Sequence, residues 1–112
     1  MASNKDKADS TRVPDRIKQT LESPRGVMMY DWMFDTGLHQ ADLLVYACMF
    51  NELRDTPNTP QRVNMSEIAR RIHYSPSSVH FSVDMLVEHG FLYSRGSRMD
   101  TVYSLYPITK LF

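Results

Sequence analysis

The stretch NMSEIARRIHYSPSSVHFSVDMLVEHG, Asn64 to Gly90, holds two helix-start signals in close succession. Asn64 carries a side-chain oxygen able to cap free backbone amides, and Glu67, three residues on, is spaced to reach back and close a capping box. A helix is predicted from there. Ile68, Ala69 and Ile72 recur at helical spacing and form one apolar face, which leaves Arg70 and Arg71 on the side turned to water. Ser75-Pro76 supplies the second start, because Ser is a favoured N-cap and Pro at the first helical position loses only an amide that had no partner. A residue before proline avoids helical dihedrals, so the first helix must stop near His73 or Tyr74. Val79, Val83, Leu86 and Val87 then mark a second apolar face, with Gly90 after His89 as its C-terminal stop.

Two helices joined by a turn of roughly three or four residues have the spacing of the helix-turn-helix motif. Beyond them, FLYSR (91–95) and DTVYSLY (100–106) are rich in aromatic and β-branched residues and flank Gly96-Ser97-Arg98, which reads as a β-hairpin. Over about residues 38 to 106 the chain thus resembles the winged helix-turn-helix family, in which a helix, a turn, a recognition helix and a two-stranded wing follow in this order. The residues that carry the resemblance are Asn64 to Ala69, Ser75 to Val79 and Leu86 to Phe91. It extends to small regulators of the MarR-like type and to N-terminal domains of phage and plasmid replication proteins. The fold class expected is mainly α with a small β-hairpin (α+β), a three-helix core plus wing. What the resemblance implies for function is DNA binding, with a recognition helix at about 76–89 in the major groove and a wing at about 91–106 on the backbone.

A chain of 112 residues suffices for one core. Residues 1–26 are poor in large apolar side chains and read as a flexible or partly helical arm, with residues 27–112 as the winged-helix domain. If the arm folds, Val13, Ile17 and Leu21 make it a short amphipathic helix beginning after Pro14 and ending at Ser23-Pro24. From Val27 the composition turns apolar (VMMYDWMF), a segment expected to lie over the helices. Leu38 to Asp55 is predicted as a helix, with the run Leu43 to Phe50 apolar throughout. A helix apolar all round needs cover on both sides. The helix-turn-helix can cover one side, and the other needs either the Val27 to Phe34 segment or a second copy of the protein; a homodimer through this helix, the N-terminal segment, or both is expected. Thr56 to Pro60 is a loop, and Arg62-Val63 is placed as a short third strand. Cys48 reads as a buried small side chain, not a reactive thiol. Without a secretory or membrane-spanning run, the location expected is cytoplasmic, with no membrane partner.

Charge tempers the nucleic-acid reading, since 13 basic residues face 13 acidic ones. Residues 1–26 carry six basic and four acidic side chains, residues 27–65 two and five, and residues 66–98 four and three. Candidate phosphate partners are Arg70, Arg71, Arg95 and Arg98, with neutral donors from Tyr74, Ser75, Ser77 and Ser78. Each has a plainer reading beside it: a solvated basic pair for Arg70 and Arg71, first-turn stabilisation for the serines. A wing tip has no core to support, which favours contact by Arg95 and Arg98. On the recognition helix, Ser77, Ser78, His80, Phe81, Asp84 and Met85 turn away from the apolar face. Winged-helix relatives often hold Arg, Lys or other polar groups at the positions of Phe81, Asp84 and Met85, so this chain departs from the pattern. Phe81 and Met85 form an apolar ridge suited either to a thymine methyl or to a protein partner.

Catalysis finds no footing. There is no phosphate-cradling Gly-rich loop, no suggestive Ser, His and Asp set, and His73, His80 and His89 lack a converging ligand set, so a non-enzyme with no metal and no cofactor is expected. Two functions stay open: a double-stranded-DNA-binding protein serving transcription, replication or plasmid maintenance, and a winged-helix protein-interaction module built on Phe81 and Met85.

Overall fold

The computed structural model describes residues 13–22, 26–97 and 100–107. Among them are helices α1 (Asp15–Glu22), α2 (Ala41–Leu53), α3 (Met65–Ile72) and α4 (Pro76–Glu88), a 3-10 turn at Asp31–Asp35, and strands β1 (Tyr93–Arg95) and β2 (Val102–Ser104). The strands pair antiparallel, with Tyr93 opposite Ser104, Ser94 opposite Tyr103 and Arg95 opposite Val102. α4 packs on α2 and α3, and α2 also touches α3 and the 3-10 turn. This is the α+β winged helix-turn-helix: a packed trio, α2 to α4, followed by a two-stranded wing.

Local chemistry sets the two helix starts. Asn64 Oδ1 accepts the Glu67 amide at 3.0 Å and begins α3. Only that half of the expected capping box is made, because the Glu67 carboxylate turns to Arg70 instead of back to Asn64. Ser75 Oγ accepts the Ser78 amide at 3.2 Å and Pro76 takes the first turn of α4. Between the helices His73 adopts left-handed dihedrals (φ 61°, ψ 43°), which lets the Tyr74 amide donate to Ala69 O at 3.0 Å and close α3. A residue with a β-carbon carries about 1–2 kcal/mol of strain in that conformation. His73→Gly is therefore expected to stabilise the fold by about 1 kcal/mol, less whatever the freer unfolded chain takes back, seen as a higher urea midpoint at unchanged slope. A lower midpoint would mean that the imidazole itself holds the turn.

The core gathers Val45, Met49 and Leu53 of α2, Ile68 and Ala69 of α3, Val79, Val83 and Leu86 of α4, with Leu92 and Tyr103 from the wing. Cys48 is buried as expected, and burial pushes its thiol pKa up while the nearby Arg71 charge pulls the other way. The second side of α2 is covered from within the chain. Met33 is buried, Val27, Met29 and Tyr30 pack against the core, and Tyr30, Trp32, Tyr46, Phe50 and Phe91 meet ring to ring at 5.3–6.4 Å. Asn51 ties this layer to α2, accepting the Met28 amide and donating to the carbonyls of Met28 and Ala47. Met28, Trp32 and Phe34 nevertheless stay exposed.

Two expectations are corrected. The helix placed at Leu38 to Asp55 runs only from Ala41 to Leu53, because Gln40 takes a positive φ of 53° and Thr36 Oγ1 bends the chain by accepting the Leu38 amide. The third strand at Arg62-Val63 is instead a single bridge one residue earlier, Gln61 with Tyr103, made by bonds of 2.9 and 2.8 Å. α1 forms in the arm after Pro14, and Val13, Ile17 and Leu21 lie exposed. Ser23, Pro24 and Arg25 lie outside the described residues.

Candidate nucleic-acid interface

α4 divides into two faces. Val79, Ser82, Val83 and Leu86 are buried, while Ser77, Ser78, His80, Phe81 and Asp84 are exposed. Phe81 stands out in this set, a phenyl side chain 66% exposed at the middle of the helix. Met85 is half-buried, so the anticipated ridge reduces to Phe81 with Met85 at its foot. Spacing by four sorts the outer face into rows, Ser77 and Phe81 in one, His80 and Asp84 in the next.

A hollow flanks each row. On the first side, His39 to Asp42 at the start of α2 face Tyr74, Ser77, Ser78 and Phe81 across about 420 Å³. Its floor is anchored by Ser82, only 2% exposed, whose hydroxyl donates to Asp42 Oδ1 at 2.7 Å. On the wing side, Arg62, Asn64, Ser66, His80, Thr101 and Tyr103 surround about 530 Å³. Burial, and after it the charge of Asp84, raises the Tyr103 phenol pKa.

The other predicted residues are spread around this face. Ser75 sits at the N-cap of α4 and its hydroxyl bonds Ser78 Oγ at 2.9 Å and Ser77 Oγ at 3.3 Å, so the serine hydroxyls chiefly hold one another. Arg95 is exposed at the end of β1, beside Gly96. Arg70 is exposed on α3 and paired with Glu67. Arg71 lines neither hollow beside α4; it borders an apolar one of about 560 Å³ with Val27, Met29, Leu44, Cys48 and Ile72. Arg98 lies outside the described residues.

Sequence reasoning missed two contributors. The His39 to Asp42 segment reaches the recognition helix only through the packing of α2 on α4, and no local signal marks it. Arg62 was read as a strand residue, yet it stands in the wing-side hollow with its guanidinium 3.1 Å from Asp100 Oδ1. Both partners are well exposed, so the pair adds little stability.

A helix pair with one buried and one outward face, flanked by an exposed wing cation, is the geometry that a duplex-binding domain presents. Residues 58–96 match the family model of the IclR helix-turn-helix domain. The match covers about a third of the chain, from the loop before α3 through α3, α4 and β1. It supports a DNA-binding helix-turn-helix of the transcription-regulator kind; the narrower likeness to MarR-type regulators and replication proteins is not what that model describes. Neither the curated proteins nor the solved structures give a significant match. Among the described residues, no helix is long and apolar enough to cross a membrane, and no group of His, Cys, Asp and Glu is arranged to hold a metal ion.

Proposed function

We propose that this chain is a sequence-specific binder of double-stranded DNA, a small bacterial, phage or plasmid regulator of transcription or a factor in replication or plasmid maintenance, acting in the cytoplasm. The observation that carries the reading is α4 itself: one face is held by the core, the opposite face is open along its length, and the family match spans it. α4 enters the major groove. Tyr74, Ser75, Ser77, Ser78, His80 and Phe81 then face base edges and the nearer strand, while Arg95 and Arg98 of the wing and Arg70 and Arg71 of α3 supply charge for phosphates.

Binding by one copy is weak and salt-sensitive, because the net charge is zero and residues 66–98 carry an excess of just one basic group. Two copies double the phosphate contacts. A homodimer on a two-fold site answers that need, with the exposed apolar stripe of α1 and the side chains of Met28, Trp32 and Phe34 as its available surface. In this arrangement the arm at residues 1–26 serves association and residues 27–112 serve DNA.

Affinity for mixed-sequence duplex should fall steeply with salt. Arg95→Ala should make the log–log slope shallower by about 0.9 for each phosphate contact removed, hence by about 1.8 for a dimer. An unchanged slope would place Arg95 off the backbone. A second reading is favoured by the exposure of Phe81 and by the lack of any Lys or Arg in α4: the chain is a protein-interaction module docking through Phe81. That reading predicts no duplex binding at low salt, with Phe81→Ala breaking a protein complex.

A further inference from the structure

The helix Pro76–Glu88 contains no Lys and no Arg, so it cannot make the bidentate contact to guanine that is the commonest base-specific bond in the major groove. Its outward polar groups are the serines of its first turn and the row of His80 and Asp84. The hydroxyls of Ser75, Ser77 and Ser78 interlock at the helix start, Ser82 is buried on Asp42, and His80 and Asp84 lie on the row nearer the wing. At the centre of the exposed face stands Phe81.

We infer that Phe81 reads the C5-methyl group of a major-groove pyrimidine, thymine or 5-methylcytosine, and that this apolar contact carries the base preference of α4. The inference rests on the duplex-binding reading above and adds the chemistry by which the site is chosen. A phenyl ring projecting from a groove-sized helix gains nothing from a phosphate or from a base edge of donors and acceptors. A methyl group is the one apolar feature a pyrimidine presents in the major groove. Since only the methyl leaves water, the discrimination is modest, about three- to fivefold per contacted methyl.

The test uses the full chain and a random duplex library synthesised with thymine and 5-methylcytosine. Duplexes selected at low salt are re-amplified in three forms: with both methyl groups, with uracil in place of thymine, and with cytosine in place of 5-methylcytosine. Wild type is expected to weaken about three- to fivefold per contacted methyl on one of the two depleted pools, which identifies the source. Phe81→Ala should bind more weakly and equally to all pools, Phe81→Leu should retain the methyl effect in part, and Arg95→Ala should be weaker yet fully methyl-sensitive. Equal binding of wild type to every pool, or equal methyl sensitivity in Phe81→Ala, overturns the inference while leaving DNA binding intact. Full duplex affinity in Phe81→Ala also overturns it and points to a protein partner for that side chain. Failure to select any duplex removes the DNA-binding reading and this inference together.

Discussion

Leu86→Ala is expected to lower stability by about 3–5 kcal/mol, the upper part of the range for such truncations. Leu86 is 1% exposed, within the core shared by α2, α3 and α4. The cost of a cavity depends on how far its walls can close. Here they are held, because the Leu86 carbonyl accepts the amides of Phe91 at 2.9 Å and Leu92 at 3.3 Å, and Leu92 is itself fully buried. Moving the end of α4 inward would break the turn that launches the wing. A domain of this size has roughly 5–15 kcal/mol in all, and each kcal/mol shifts its melting temperature by about 4–8 °C. A drop of more than about 12 °C is therefore expected by circular dichroism, with a parallel fall in the urea midpoint. Phe81→Ala, which removes an exposed ring five residues away on the same helix, should stay within about 0.5 kcal/mol of wild type. If the two variants melted alike, the assignment of inner and outer faces of α4 would be wrong.

Gly96→Ala should disable the wing and leave the helical core standing. Gly96 has φ 101°, and a β-carbon there would lie 2.5 Å from the Asp100 carbonyl oxygen, 3.1 Å from its carbon and 3.2 Å from Thr101 Cα. All three are backbone atoms, so no side-chain rotation relieves the clash. Left-handed strain alone costs about 1–2 kcal/mol, and the collision adds to it. Two strands of three residues each are marginal, so the hairpin tip opens before the core yields. The pair Arg95 with Val102, next to the glycine, separates first. Tyr103 stays in place through its burial and its two bonds to Gln61. The expected outcome is a melting temperature well above that of Leu86→Ala, faster amide exchange at Arg95 and Val102, and a loss of DNA affinity at least equal to that of Arg95→Ala. Undiminished affinity would show that the wing does not touch DNA.

Much of this architecture was legible because its signals are short-range. Asn64 and Ser75 each accept an amide three residues ahead, and Pro76 needs only its own ring, so caps and turn could be read without any partner in view. The same holds for the apolar faces of α3 and α4, where side-chain spacing alone separates Ile68 and Val83 from Ser77 and Phe81. Reading failed where backbone geometry or a distant group decides. Nothing in the letters around Gln40 announces a positive φ, and the two residues before it looked like a continuation of α2. Arg70 and Arg71 are neighbours of one type, yet one pairs with Glu67 and the other borders Cys48 under the N-terminal segment. Ser82 falls on the buried stripe of α4 by its spacing, but the partner of its hydroxyl, Asp42, lies forty positions earlier in the chain and has no local signal.

The amino-acid sequence by itself determined where α3 and α4 start and stop, which side of each is apolar, and that a hairpin follows α4, since these depend on dihedral preferences and on contacts within a few residues. Tertiary structure alone decided what surrounds the outward face of α4: the start of α2 on one flank, Arg62 and the wing on the other, and Phe81 left open between them. Those neighbours are set by how α2 and α4 pack and by which strand pairs with Gln61. Such long-range contacts join groups whose spacing along the chain carries no trace of their distance in space.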